Sequence, residues 1–197
     1  MYKISDKKYG IIYADPPWNY AGGQMVGKDG KNPSRAEHHY KTIKLKDLKK
    51  FEVEDIAEDD CLLFMWSSSP HLDQAIDLGK SWGFKYATVA FIWNKMKVNP
   101  GHYTMSQCEI CLVFKRGKIP LPRGLRNVRQ LIECKRGKHS EKPLEARDRI
   151  HLMFPHHNKI ELFARPVELK NEQKWDYFGD EIKNAEKEYL HEQDVDE

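Results

Sequence analysis

Asp15-Pro16-Pro17-Trp18 is the most chemically constrained stretch of the 197-residue chain. A residue before proline is pushed out of the helical region, so Asp15 and Pro16 must both be extended, and neither proline has an N–H to give to a neighbouring strand. The chain therefore leaves any preceding strand stiffly, with the Asp15 carboxylate and the Pro16 carbonyl as adjacent acceptors and the Trp18 ring close behind. Two acceptors beside an aromatic plate describe a receptor for a flat base carrying an NH2 group. The 6-amino group of adenine is a poor nucleophile because its lone pair is delocalised into the ring. Hydrogen bonds from both amino protons, to Asp15 and to the Pro16 carbonyl, favour a pyramidal nitrogen that can attack a methyl group in line. Trp18 and Tyr20 are then expected to stack on a base that has left its helix or comes from a single strand.

Charge supplies a second signal. The net charge is +3, yet residues 115–142 hold ten Lys or Arg against only Glu133 and Glu141, which puts +8 in that segment and −5 on the rest. Pro120, Pro122, Gly124 and Gly137 break the run. It reads as a loop offering Arg123, Arg126, Lys135 and Arg136 to phosphates. Cys61, Cys108, Cys111 and Cys134 are too irregularly spaced for a disulfide framework. Cys108 and Cys111 have no second ligand pair, and the flanking run 109–114 reads as a strand, where residues three apart point to opposite faces, so no metal is expected there. The pairs His38-His39 and His156-His157 lack companions at ligand spacing. The longest apolar run, residues 61–66, is far too short to cross a bilayer, and the first residues have no secretory h-region; the expected compartment is the cytoplasm.

Something must position these groups. Residues 9–14 (YGIIYA) and 61–66 (CLLFMW) read as buried strands, the first stopped by two prolines. Residues 44–57 show roughly helical spacing. The next helix is better marked: Ser69 caps it, Pro70 suits its first position, Leu72, Ala75, Ile76, Gly79 and Trp82 line one face, and Gly83 ends it. Strands follow at 86–93, 109–114, near 127–133 and at 159–164, with a helix over 143–153. Trp66, Trp82 and Trp93 fall on apolar faces and are expected in the core. Strands alternating with helices predict a largely parallel sheet covered on both faces, a Rossmann-like α/β domain over residues 1–181. Residues 182–197 read as an acidic helix and tail. In such sheets ligands bind beyond the carboxyl ends of strands, which singles out residues 15–20, 67–71 and 165–168.

The Asp-Pro-Pro-Trp stretch after a strand resembles the signature of the adenine-N6 methyltransferase family named after the seventy-kilodalton subunit of the messenger-RNA adenosine methyltransferase, which includes small bacterial and phage members. The resemblance runs in order through Leu62-Leu63-Phe64-Met65-Trp66 with Ser69-Pro70-His71, Trp82-Gly83-Phe84, Trp93, residues 109–117, His139-Ser140-Glu141-Lys142-Pro143, the segment from Lys159 to Arg165, and Trp175-Asp176-Tyr177-Phe178-Gly179. It implies a methyltransferase sandwich in which the catalytic loop precedes the main cofactor segment, with S-adenosylmethionine as methyl donor and no metal. By that resemblance Lys142 holds the cofactor carboxylate, Glu161 and Arg165 approach its ribose, and Asp15 sits between the cofactor and the target amine. Ser140, Phe163 and Asp180 join the cofactor set. Two departures stand out: Asp180 occupies a position where the family usually has Asn, and only 14 residues precede Asp15, whereas larger relatives carry zinc-binding modules there.

The reading that unites these signals is adenine-N6 methylation of DNA, with the same chemistry on RNA as its rival and an inactive nucleic-acid-binding partner subunit as an alternative from another class. A homodimer or a second subunit is a possible companion, and residues 22–39 and 115–138 are the candidate specificity loops. If the basic segment touches about five phosphates, the logarithm of nucleic-acid affinity should fall against log salt with a slope of about −4 to −5 in a filter-binding titration. A salt-independent affinity removes the segment from the binding surface.

Overall fold

Runs that are apolar at every position must be buried on both faces, and residues 9–14 and 61–66 are of this kind. In the computed structural model, which describes residues 3–19, 42–101, 103–137, 141–164 and 174–179, they form parallel neighbours, β1 (Tyr9–Ala14) and β2 (Ala57–Ser67). The further strands are β3 (Lys85–Asn99), β4 (Ser106–Arg116), β5 (Leu131–Glu133), β6 (Lys159–Leu162) and β7 (Trp175–Phe178). They build one sheet in the order β5-β3-β4-β2-β1-β6-β7. Only β4 is reversed, running against both β2 and β3.

Side chains alternate across each strand, and the two faces collect separate cores. Ile12 and Ala14 of β1 and Leu63 and Met65 of β2 face one way, under α1 (Leu45–Leu48) and α2 (Leu72–Ser81). Ile11, Tyr13, Leu62, Phe64 and Trp66 face the other, against Ala146 and Ile150 of α3 (Leu144–Met153). Each large apolar side chain buried in this way contributes about 1.5–3 kcal/mol. Trp66, Trp82 and Trp93 are all within 1 % of full burial, as their positions on apolar faces predict.

The parallel direction matters for the site. Ala14 lies level with Met65 on one side and Leu162 on the other, and Leu162 is level with Phe178. Four strand ends therefore emerge along one edge of the sheet. Because α3 leads into β6, its amino end lies at that edge too.

Several elements differ from the sequence expectation. Residues 44–57 form only the short α1 and a single 3-10 turn at Glu54–Ile56, because Leu48, Val53 and Ile56 all reach the core and the backbone must turn to deliver them. Ser69 does not cap α2: Ser69–His71 form a 3-10 turn, and the tighter winding leaves Leu72 37 % exposed while Leu78 is buried. Gly83 does end the helix, at a φ of 83° that suits glycine. Strands β2, β3 and β4 all outrun their apolar centres, since the ladder also pairs the polar residues at their ends. The strand β7 was not among those expected. The candidate specificity loop at 22–39 and the tail at 182–197 lie outside the described residues.

Gly79 sits on the buried side of α2 so close to the Phe114 ring that even a methyl group would overlap it. Gly79→Val should therefore cost about 2–3 kcal/mol through overpacking. The check is urea unfolding, with a lower midpoint at an unchanged slope.

Candidate active site

The last rung of β1 is a bond from the Asp15 N–H to the Leu162 carbonyl at 3.5 Å. Pro16 and Pro17 then end the ladder, having no N–H to extend it. The Pro17 carbonyl accepts the Ile43 N–H at 2.9 Å, and the Pro16 carbonyl accepts the Trp18 N–H at 2.8 Å. Pro16 is buried, and the Trp18 N–H takes one of its carbonyl's two lone pairs, which leaves one.

Trp18 requires a correction. Its ring is only 6 % exposed and stacks on the His71 imidazole, with centroids 5.6 Å apart. Its indole N–H donates to the Trp66 carbonyl at 3.2 Å. A ring held in this way belongs to the core and is no open plate for a base; it ties the turn to the end of β2. His71 is fixed in turn by Ser68 at 2.8 Å and by the Asn19 carbonyl at 3.2 Å, and burial lowers its pKa below the ordinary imidazole value.

In front of the turn runs a chain of charges. The Lys142 ammonium donates to Asp15 at 2.8 Å and lies 3.3 Å from Glu109, whose other oxygen lies 3.3 Å from Lys95. The four side chains are between 10 % and 21 % exposed. Burial on its own would lower the Lys142 pKa, but Asp15 and Glu109 outweigh it and hold the ammonium above its ordinary value. Burial pushes the Glu109 carboxyl upward, and Lys142 and Lys95 together bring it below the usual carboxylate range. Two cations alternate with two anions, so the chain is neutral as a whole.

On the β6 side, Glu161 stands beside Tyr13 across the β1–β6 ladder. Its carboxylate lies 3.2 Å from Arg147 of α3. Burial, together with Asp15 and Glu141 nearby, lifts its carboxyl to about 7 in spite of the guanidinium. Arg147 also donates to the Tyr177 hydroxyl at 2.6 Å and lies 5.3 Å from the ring centroids of both Trp175 and Tyr177. Phe163, directly after β6, takes a left-handed φ of 59° while its ring packs against Phe51 and Trp82. Strained backbone of this sort persists only where its surroundings hold it.

A cleft of about 310 Å³ opens on the opposite side of Lys142, lined by Trp93, Cys134, Lys135, Gly137, Glu141, Lys142, Pro143, Leu144 and Glu145. The basic segment does not gather here as one loop. Lys118 donates to Asp60 near the start of β2, the Pro122 carbonyl accepts from His157 ahead of β6, and Gly124 and Leu125 bond the last turn of α3. All of these lie at the edge opposite Asp15. Arg123 therefore packs its guanidinium 5.7 Å from the Phe154 centroid, with its Nε buried, and Arg126 follows it on that side. Only after β5 does the chain reach the Asp15 edge, carrying exposed Lys135 and Arg136.

Asp15, Pro16, Lys142, Glu161, Phe163 and Lys135 thus share one edge of the sheet, and Arg123 and Arg126 do not. Tyr20, Ser140, Arg165 and Asp180 lie outside the described residues. Sequence reasoning gave no role to Lys95, Glu109, Arg147 or Tyr177. One signal was present: Lys95 continues the inward alternation of Phe91 and Trp93, an odd place for a lysine.

Residues 9–181 match the MT-A70 family model. The chain is 50 % identical to the Type II methyltransferase M.MunI of Mycoplasma sp over 206 residues, an alignment that takes in 99 % of this chain and 87 % of that protein. It is 27 % identical to the N(6)-adenosine-methyltransferase MT-A70-like protein of Drosophila melanogaster, covering 83 % of this chain and 25 % of that one. It is 26 % identical to the human N(6)-adenosine-methyltransferase catalytic subunit METTL3, covering 81 % of this chain and 26 % of that one. With the acidic turn after β1, its lysine partner before α3 and a match across most of its length, the chain belongs to the MT-A70 family.

Proposed function

We propose that this protein is a site-specific methyltransferase that moves a methyl group from S-adenosylmethionine to the 6-amino group of adenine in DNA, in the cytoplasm. The single observation that carries the reading is the Asp15 carboxylate, placed just beyond the carboxyl end of a central parallel strand and ion-paired to Lys142. The kinship to a Type II methyltransferase over nearly the whole chain favours DNA, and the relatives named as N(6)-adenosine methyltransferases favour the 6-amino group.

The residues present suit the cofactor. An ammonium has three N–H donors, and Lys142 spends two on Asp15 and Glu109, which leaves one for a carboxylate. Glu161, at the same edge, suits a sugar hydroxyl as acceptor or, when protonated, as donor. S-adenosylmethionine supplies a methyl group already bonded to a leaving sulfonium, so the protein's task is orientation and charge. Asp15 and the free lone pair of the Pro16 carbonyl accept the two amino protons and turn the nitrogen lone pair toward the methyl carbon. The amine would become acidic as it takes up the methyl group, and Asp15 is the acceptor in place for its proton. Lys142 balances the carboxylate throughout.

Asp15→Ala should abolish transfer of labelled methyl to adenine while circular dichroism stays native; an active variant sinks the reading. Lys142→Met should do more than weaken cofactor binding, since it leaves two carboxylates facing each other. The expected outcome is a loss of about 3–5 kcal/mol in stability, with kcat falling and not only KM rising. Glu161 provides a pH signature. Its folded pKa of about 7 lies above the ordinary carboxylate value of 4.5, so its contribution to stability is complete below 4.5 and is lost as pH rises through 7. Glu161→Gln should flatten the fall in unfolding free energy between pH 5 and 8 by a few kcal/mol, at about 1.4 per pKa unit. Parallel curves for the two proteins would refute it.

A further inference from the structure

The β3–β4 hairpin runs past the end of the sheet. Strand β2 stops at Ser67, opposite Ile110, whereas β4 begins four residues earlier, at Ser106, and β3 continues to Asn99. At about 3.3 Å per residue the arm overhangs the Asp15 edge by roughly 13 Å, and two strand spacings of about 4.8 Å separate it from β1. Its root is the buried Lys95–Glu109 pair, which belongs to the same charge chain as Asp15.

The arm has built-in features of its own. The Asn94 side-chain oxygen accepts the Met96 N–H at 3.1 Å and the Gln107 amide at 2.8 Å, the ladder shifts register between Asn94 and Asn99, and Met96 takes a φ of 53°. At the tip, a side chain on Gly101 would strike the Thr104 carbonyl. What this scaffold presents to water is apolar: Met96 is 55 % exposed, Val98 51 %, Met105 61 %, and Tyr103 fully exposed. Exposed cations flank it, Lys97 on the arm itself and Lys135 and Arg136 just after β5 ends at Glu133, the exposed acid that accepts from the Asn94 amide at 3.2 Å.

An adenine inside a duplex cannot bring its amino group to Asp15 without leaving the base stack, and the vacated gap must be filled or it closes. Proteins that hold such gaps open insert apolar side chains between bases, and a two-stranded ribbon fits the major groove. Apolar side chains flanked by cations and overhanging the catalytic edge suit stacked bases between phosphates, a polymer whose backbone repeats the opposite charge. We propose that the β3–β4 arm enters the duplex beside the target and that Tyr103, with Met105, occupies the gap left by the extruded adenine. This rests on the adenine reading above.

The test uses the full chain and oligonucleotides carrying the site it methylates, mapped first as N6-methyladenine in DNA of an expressing host. Three forms are compared: a duplex, a duplex with an abasic residue opposite the target, and a single strand. Tyr103 is fully exposed, so Tyr103→Ser leaves the fold intact. Its kcat/KM should fall about 10- to 100-fold on the duplex and no more than about 3-fold on the two opened forms, because only the paired target needs a filler. Met105→Ser should show the same pattern more weakly. Equal losses on all three forms, or no loss on the duplex, overturn the proposal. So does sedimentation in which the wild type is a dimer that Tyr103→Ser dissociates, since the arm is then a contact between copies. An expressing host whose DNA carries no N6-methyladenine brings down the adenine reading as well, whereas an active wild type with an unaffected variant brings down the arm alone.

Discussion

A lysine ammonium can be buried where carboxylates stand against it, and Lys142 occupies such a position between Asp15 and Glu109. Removing water from such groups costs several kcal/mol each, and alternation of sign along Asp15, Lys142, Glu109 and Lys95 offsets the cost. The rest of the site depends on this arrangement. Asp15 comes from the end of β1, Lys142 from the approach to α3, Glu109 from β4 and Lys95 from β3, so the chain forms only when the sheet has closed in its final order. The reversed direction of β4 is what brings Glu109 to an edge otherwise made of carboxyl ends.

The two sides of Asp15 are chemically unlike. Toward β6 lie Glu161, Arg147 and the aromatic rings of Trp175 and Tyr177, a tightly packed region whose carboxyl titrates near neutrality. Toward β3 lie the cleft, the exposed cations that follow β5, and the apolar arm. Such a division suits a reaction with two partners of different character, one a small zwitterion and one a polymer whose backbone repeats negative charge. The Pro-Pro turn stands between them and is held from behind: Trp18 is clamped by His71 and Trp66, and Pro17 by Ile43. A stiff turn fixed from the core can hold a carboxylate in place without the carboxylate having to order itself at the moment of reaction.

Much of this was open to reading from the order of residues alone. The doubly apolar runs at 9–14 and 61–66 gave the central strands, Gly83 the end of α2, and the two prolines the point at which β1 must release the chain, because each rests on a local rule of sterics or burial. Asp15 was identified for the same reason, by its position before two prolines at a strand end, whereas Lys142 was singled out by the family resemblance of the stretch around it. Arg123 and Arg126 misled because a run of cations in sequence says nothing of direction. The segment crosses from one edge of the sheet to the other, and its two halves face different ends of α3.

Trp18 shows where the division falls. Its type and spacing marked it as an aromatic plate beside two acceptors, and nothing local could say whether its face would meet a ligand or His71, 53 residues further on. Lys95, Glu109, Arg147 and Tyr177 were invisible for a related reason: each acquires its meaning from a partner on another strand or helix. The sequence by itself determined the central strands and the stiff acidic turn, since these follow from backbone sterics and side-chain chemistry within a few residues. Only the tertiary structure decided which charges are paired, which ring is buried and which cations stand at the reactive edge, because burial and electrostatics depend on distances between residues that the chain order leaves free.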